Sequence, residues 1–352
     1  MKLAILGDTH FGMRNDNQIF ANLYARFYNE TFFPYLEENN VNCVVQLGDL
    51  FDRRKYVNFQ TLAHARDSFF DFFKRHPMIE FHTLLGNHDI FYKNKLDVNS
   101  PVLLLNDLDI HIHTQPKTVN FDGVKFDFIP WLCEDNYDEV VKFIRESNSE
   151  FCFGHFELEG FEMDAGNFCQ EGMDSDVLKR YELVMTGHFH HRSQKGNVLY
   201  VGSPGEMTWA DHNDPRGFHI FDTDTREIEF IPNPFTMFRK YTYNDDDIYL
   251  DDINNMDYIQ YQNKYVKIVV AKKSNSYLFD TLIDNIVKSA PADLTIVEDF
   301  SEIAIDELHE VDQADDTATI LDKYIDNVEI DLNKDRLKSI IKEVYTEALS
   351  IE

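Results

Sequence analysis

Five short segments of this chain place Asp, Asn or His directly after a glycine and at the end of an apolar run. They are Gly7-Asp8-Thr9-His10, Gly48-Asp49-Leu50-Phe51-Asp52-Arg53, Gly86-Asn87-His88-Asp89, Gly154-His155 and Gly187-His188-Phe189-His190. One such segment alone is usually a turn with capping side chains. Five in series can deliver seven oxygen and nitrogen ligands to one place: Asp8, His10, Asp49, Asn87, His155, His188 and His190. The preceding glycine lets each loop turn at little steric cost. Carboxylate, amide and imidazole without cysteine suit manganese, iron or zinc rather than calcium.

Positioning these loops requires strands that end together. Residues 2–7, 41–47, 79–85, 124–130, 151–153 and 182–186 are short apolar runs that read as buried strands. Helical stretches fall among them at 16–38, 58–75 and 136–147. The alternation predicts an α/β layered domain, in which ligands gather beyond the carboxyl ends of the strands. Later strands at 197–201, 217–222 and 227–232 lack intervening helices and predict that a second, more antiparallel sheet completes the domain. Past residue 240 come an acidic stretch, a strand-like run at 264–272, a helix-like segment at 277–289 and a strand-like run at 294–300, a β-α-β pattern that suits a small second domain. Residues 301–316 are acidic and poor in aromatics and read as a linker; from 317 to 352 the apolar period becomes helical. The expected organisation is therefore 1–240, 241–300, 301–316 and 317–352.

Composition limits what the chain can do alone. Thirty Phe and seventeen Tyr supply large side chains for a core. Against 33 Lys and Arg stand 63 Asp and Glu, a formal charge of −30. That argues against a free-standing DNA binder, because phosphate contacts call for a basic surface. Bound metal ions or a basic partner subunit would have to supply positive charge. Cys43, Cys133, Cys152 and Cys169 form no C-x-x-C pair and read as free, buried thiols of a reducing cytosol. The apolar N-terminal run ends at Gly7, too short for a signal peptide, and no run approaches a membrane span, so a cytoplasmic protein is expected.

Taken together, the motifs Asp-x-His, Gly-Asp-x-x-Asp, Gly-Asn-His-Asp, Gly-His and Gly-His-x-His resemble those of the calcineurin-type metallophosphoesterase superfamily. Their order, their spacing and the added C-terminal segments resemble one branch of it, the DNA-repair nucleases typified by bacterial SbcD and the eukaryotic meiotic-recombination (Mre) nuclease. The phrases FDGVKFDFIPWLCEDN, GHFELEGF and NDPRGFHIFDT read like the tailed-phage members of that branch. The resemblance covers residues 1–240 with specific motifs and the remainder more loosely. It implies a four-layer αββα sandwich with a small α/β capping domain and C-terminal helices.

The resemblance also implies a division of labour. Asp8, His10, Asp49 and His190 hold one divalent ion, and Asp49, Asn87, His155 and His188 the other, with manganese first and magnesium as the alternative. A bridging Asp49 would keep two cations roughly 3.5–4 Å apart, as in-line displacement at phosphorus requires. His88, next to a ligand but assigned no metal, would face the scissile phosphate and help protonate the leaving oxygen. The implied activity is DNA exonuclease and endonuclease cleavage, beside a coiled-coil ABC-type ATPase (the SbcC type) bound through 317–352. A dimer is also implied, through the helix in 57–75, whose apolar face includes Phe59, Leu62, Phe69, Phe70, Phe72 and Phe73; the alternative is that this face packs on the chain's own sheet.

One departure matters. Cellular members of the branch carry His where this chain has Asp52, and GDLFDRR is closer to the Gly-Asp-x-x-Asp-Arg of protein phosphatases. By that comparison Asp52 orients His88, and Arg53 or Arg54 binds a substrate phosphate. The runner-up reading is therefore a phosphoprotein phosphatase or other phosphomonoesterase. A metal-bearing scaffold without activity is the non-enzymatic alternative, and the presence of every expected ligand speaks against it.

Overall fold

A computed structural model describes residues 1–164 and 166–298. The expected linker at 301–316 and the segment 317–352 lie outside the described residues. Strand Lys2–Leu6 sets the plan of the fold. Its alternate residues Leu3 and Ile5 join one buried cluster, while Ala4 and Leu6 join another on the opposite face. A strand that buries both faces must lie inside a layered stack.

Two six-stranded sheets form the middle layers. The first runs in the order Ile228–Pro232, Gly217–Asp222, Lys2–Leu6, Cys43–Gln46, Glu80–Leu84, His111–His113. Its last four strands are parallel, and Gly217–Asp222 pairs antiparallel to Lys2–Leu6. The second runs in the order Ser193–Lys195, Val198–Tyr200, Leu183–Gly187, Phe151–His155, Val124–Ile129, Lys117–Phe121. Between the sheets lies a core that includes Ile5, Val45, Leu84, Phe126, Phe153, Met185 and Phe221. Helices cover the outer faces, completing an αββα stack. No separate antiparallel sheet exists for the late strands: Val198–Tyr200 joins the second sheet, and Gly217–Asp222 and Ile228–Pro232 extend the first. The physical reason is the open edge of Lys2–Leu6, which takes Gly217–Asp222 with Leu3 opposite Phe221, both in the inter-sheet core.

The helix read at 16–38 is Gln18–Phe27, a π-helical turn Tyr28–Phe32 and Phe33–Glu38, capped by the Asn17 side chain on Ile19 N at 2.9 Å. That at 58–75 is built the same way, from Phe59–Ala65, Arg66–Phe70 and Asp71–Arg75, with Asn58 capping Gln60 N at 2.9 Å. Each wide turn adds a residue per revolution. Both lie where aromatic rings crowd the sheet: Tyr28 and Phe69 meet at 4.8 Å, and Phe33 stacks on Phe72 at 4.0 Å. Phe69, Phe70, Phe72 and Phe73 are thus buried within their own chain, and of the six residues named for a dimer face only Phe59, 90% exposed, stands clear.

A third, all-parallel sheet runs Phe238–Asn244, Tyr265–Lys272, Asp293–Val297, with helix Ser276–Lys288 connecting the last two. It docks on the first long helix through Tyr265, whose hydroxyl accepts from Asn17 at 2.9 Å and whose ring lies 5.5 Å from Phe20. The cysteines are free, three of them buried and Cys133 half-buried. Among the described residues no helix is long and apolar enough to cross a membrane.

Candidate active site

The five motifs end strands of both middle sheets. Asp8 and His10 follow Lys2–Leu6, Asp49 follows Cys43–Gln46, and Asn87 follows Glu80–Leu84; His155 closes Phe151–His155, and His188 and His190 follow Leu183–Gly187. The loops are tight. His10, Asp49 and His188 have φ of 42°, 52° and 89°, left-handed backbone that L-residues hold only under constraint. Two glycines make room for this. Gly48 sits at φ 89° with His155 Nδ1 2.5 Å from where a Cβ would be, and a Cβ on Gly86 would fall 2.1 Å from Asp49 Oδ1.

Asp8, His10 and His190 offer ligand atoms all within 4.8 Å of one another, and so do Asp49, His155 and His188. Asp49 stands between the sets, its Oδ2 3.6 Å from His10 Nε2 and 3.3 Å from His155 Nε2. Asn87 Oδ1 lies 3.0 Å from both His155 Nε2 and His188 Nδ1. All seven side chains named as ligands therefore converge, five of them buried and His188 and His190 half-buried.

The donor set asks for cations. His155 Nδ1 donates to Leu47 O at 2.7 Å, so its Nε2 turns a lone pair toward two acceptors, Asp49 Oδ2 and Asn87 Oδ1, unless it carries a proton. His10 Nε2 and His190 Nε2 face each other at 3.1 Å. Asp8 Oδ2 is buried with no hydrogen-bond partner. Burial opposes charge on His155, yet the Asp49 and Asp8 carboxylates outweigh it and raise the imidazole to about 9. A site that draws a proton this strongly between acceptors fits divalent ions in its place. Burial raises Asp8 to about 6, a cost that a bound cation would remove.

Around the ligands the structure places the other named residues. The His88 amide donates to Asp49 Oδ1 at 2.7 Å, and the His88 ring meets that of His10 edge-on at 4.8 Å. His88 Nδ1 bonds the backbone carbonyl of Asp52 at 2.5 Å, while the Asp52 carboxylate lies 3.2 Å from His10 Nδ1. The orienting contact expected from the Asp52 carboxylate is thus made by its carbonyl, and the carboxylate faces a ligand instead. Arg53 bonds the side chains of Asn15 and Tyr56 and lies 3.5 Å from Asp16. Arg54 is half-buried.

Three supports escaped the sequence reading. Asp89 accepts from Leu50 N, Phe51 N and Gly86 N at 3.0, 3.3 and 2.9 Å, joining two ligand loops; burial, then Asp49, pushes it to about 7. Its signal was present, a third polar residue in Gly86-Asn87-His88-Asp89 with no ligand role. Arg216 is buried, bonds the His190 carbonyl, and is held by Asp211 and Asp214 at 2.6 and 2.7 Å. Trp131 packs 5.0 Å from His188 and 5.8 Å from His155. Nothing in the pattern of apolar residues distinguishes these two from ordinary packing.

A family model for calcineurin-like phosphoesterases matches residues 1–192. The chain belongs to that family. Over 353 aligned residues it is 33% identical to exonuclease subunit 1 of Enterobacteria phage T4, covering 99% of each chain. It is 21% identical to the SbcD component of the SbcCD nuclease of Staphylococcus epidermidis, covering 66% of this chain and 69% of that one. A putative phosphoesterase, 078R of Invertebrate iridescent virus 3, is 25% identical over 58% of this chain and 57% of its own. Within the phosphoesterases the chain thus sits on the SbcD-type nuclease branch, and it is a hydrolase of phosphoester bonds that uses divalent metal.

Proposed function

We propose that the chain is the nuclease subunit of a DNA end-processing complex, a manganese-dependent exonuclease and endonuclease that works beside a coiled-coil ABC-type ATPase. The observation that carries this reading is the convergence of two ligand sets on Asp49, in a chain similar over its whole length to an exonuclease subunit. Asp8, His10, Asp49 and His190 would hold one ion, and Asp49, Asn87, His155 and His188 the other. When bound, the pair supplies charge for the phosphoryl oxygens and lowers the pKa of the attacking water.

The chain's own residues do the rest. With Nδ1 on the Asp52 carbonyl, His88 is left with Nε2 to exchange a proton with the leaving oxygen. The Asp52 carboxylate on His10 Nδ1 fixes which His10 nitrogen turns to the metal. Asp89 locks the Asp49 and Asn87 loops in register. Arg53, tied to Asn15, Asp16 and Tyr56, and the half-buried Arg54 beside it are the two candidates for holding a substrate phosphate. The net charge of −30 gives little attraction for DNA beyond the site, so the partner subunit supplies the basic surface.

The test is cleavage by the purified chain in Mn2+ or Mg2+ of end-labelled duplex and single-stranded DNA, beside a phosphopeptide. Cleavage of DNA without dephosphorylation is expected, faster in Mn2+. Dephosphorylation without DNA cleavage would overturn the reading in favour of a phosphomonoesterase.

A further inference from the structure

A cavity of about 300 Å³ opens beside the second set of ligands. His155 belongs to both: it is a ligand of that set and part of the cavity wall. The rest of the wall includes Trp131, Tyr137, Phe156, Met173 and Glu157. The volume matches the lower end of small-molecule clefts, about 300–1,000 Å³. No Lys or Arg lines it, and its one histidine, His155, belongs to the ligand set. Trp131 is held from both sides of its backbone, its N donating to Leu85 O at 2.7 Å and its carbonyl accepting from Asn136 Nδ2 at 3.0 Å. Its ring is half-buried against His188 and His155, and Tyr137, across the same cavity, is 44% exposed.

Rigid aromatic faces beside a phosphodiester site, with no Lys or Arg in the wall to hold a further phosphate, favour a planar group. On the nuclease reading above, which this inference rests on, that group is a base of the substrate. We infer that this cavity is a base subsite: the base of a nucleotide flanking the scissile phosphate leaves its stack and lies against Trp131, with Tyr137 at the mouth. A base inside a duplex cannot reach such a cavity without unpairing. The subsite therefore makes single-stranded or frayed DNA the preferred form at the cut. Stacking of one base on an aromatic side chain changes affinity by roughly tenfold to a hundredfold.

The experiment uses the full chain with Mn2+ and a set of single-stranded oligonucleotides, each carrying one abasic residue at a different distance from the cut. The expected result is a drop of roughly tenfold to a hundredfold in single-turnover rate, confined to one position next to the scissile phosphate. Trp131→Ala should collapse that base-over-abasic ratio toward one, Trp131→Phe should restore most of it, and Tyr137→Ala, whose side chain is not among the ligands, should lower it in part. Metal content measured on each variant separates the ratio from lost ligands. Equal rates on base-bearing and abasic oligonucleotides by the wild-type chain would overturn the subsite and leave the nuclease reading standing. No cleavage of any oligonucleotide would remove the nuclease reading and the subsite with it.

Discussion

His88 and His188 stand in the third and fifth motifs, and the structure gives them different contacts. His88 bonds a backbone carbonyl and lies outside the two sets that meet at Asp49, though near His10 and Asp52, whereas His188 shares Asn87 with His155. His88→Ala should keep both metals and lose about 10²–10⁴ in rate, the usual size of general acid–base help. His188→Ala should lower bound manganese directly; metal analysis of the two proteins decides, and equal loss from both would make His88 a ligand. Asp52 calls for a separate expectation. Since its carboxylate faces His10 and its carbonyl serves His88, Asp52→Asn should weaken manganese binding by roughly 10–100-fold, as removal of a ligand's outer partner does. High Mn2+ should then restore most of its rate. A variant insensitive to added manganese would return Asp52 to His88. At this scale the seven converging side chains were legible because each is a chemistry-bearing type at a strand end. Arg216 and Trp131 were not, because each acts through contacts 24 residues or more away in the chain, which no local pattern records, while Asp89 stood in its motif without a role until its bonds to Leu50 N and Phe51 N gave it one.

Elements were legible where the apolar period was strong. Strands Phe151–His155 and Leu183–Gly187 were read from the runs at 151–153 and 182–186, and the two long helices begin at asparagine caps. His111–His113 and Lys117–Phe121 were missed because they sit at sheet edges and carry polar residues on the open side. The destination of Gly217–Asp222 was missed because pairing partners are set by which edge is open, a property of the whole stack. The edge strand carries a consequence for acid stability. His82 and His113 are buried side by side, Nδ1 to Nε2 at 3.0 Å, near Glu80, His111 and Lys117. Burial holds them down at about 4 and about 3. The folded chain thus binds fewer protons than the unfolded one between these values and about 6.5, so stability is full above that range and falls as pH drops through it. The limiting slope for one such group is about 1.4 kcal/mol per pH unit. His113→Gln keeps a partner for His82 but cannot titrate, so its Tm should fall less than that of wild type between pH 6.5 and 4.5. Parallel Tm curves would show that this pair does not set acid stability.

The whole molecule combines a cationic centre with a chain of formal charge −30, so its hold on DNA must come largely from elsewhere. The C-terminal sequence points to where. Leu337, Ile340, Ile341, Val344, Tyr345, Ala348 and Leu349 follow the i, i+3, i+4, i+7 rule, Ile320, Leu321, Tyr324, Ile325 and Val328 repeat it upstream, and Asn333 is placed as a cap between them. Short amphipathic helices are marginal in water unless the stripe is covered. Residues 301–316, acidic and without an aromatic residue, lie between the nuclease layers and these stripes in the sequence. A partner groove is then the natural cover, in the manner of helix-in-groove recognition. Removing 317–352 should leave manganese-dependent cleavage of single-stranded oligonucleotides by the isolated chain within about twofold, since every ligand and every support lies before residue 217. The same truncation should abolish co-purification with the ATPase and, with it, the partner's enhancement of cleavage on duplex ends. Because the stripe is read from spacing alone, Ile341→Asp with Val344→Asp should reproduce the loss of binding without shortening the chain. Truncated or doubly substituted protein that still bound the ATPase with unchanged affinity would move the docking site onto residues 1–298.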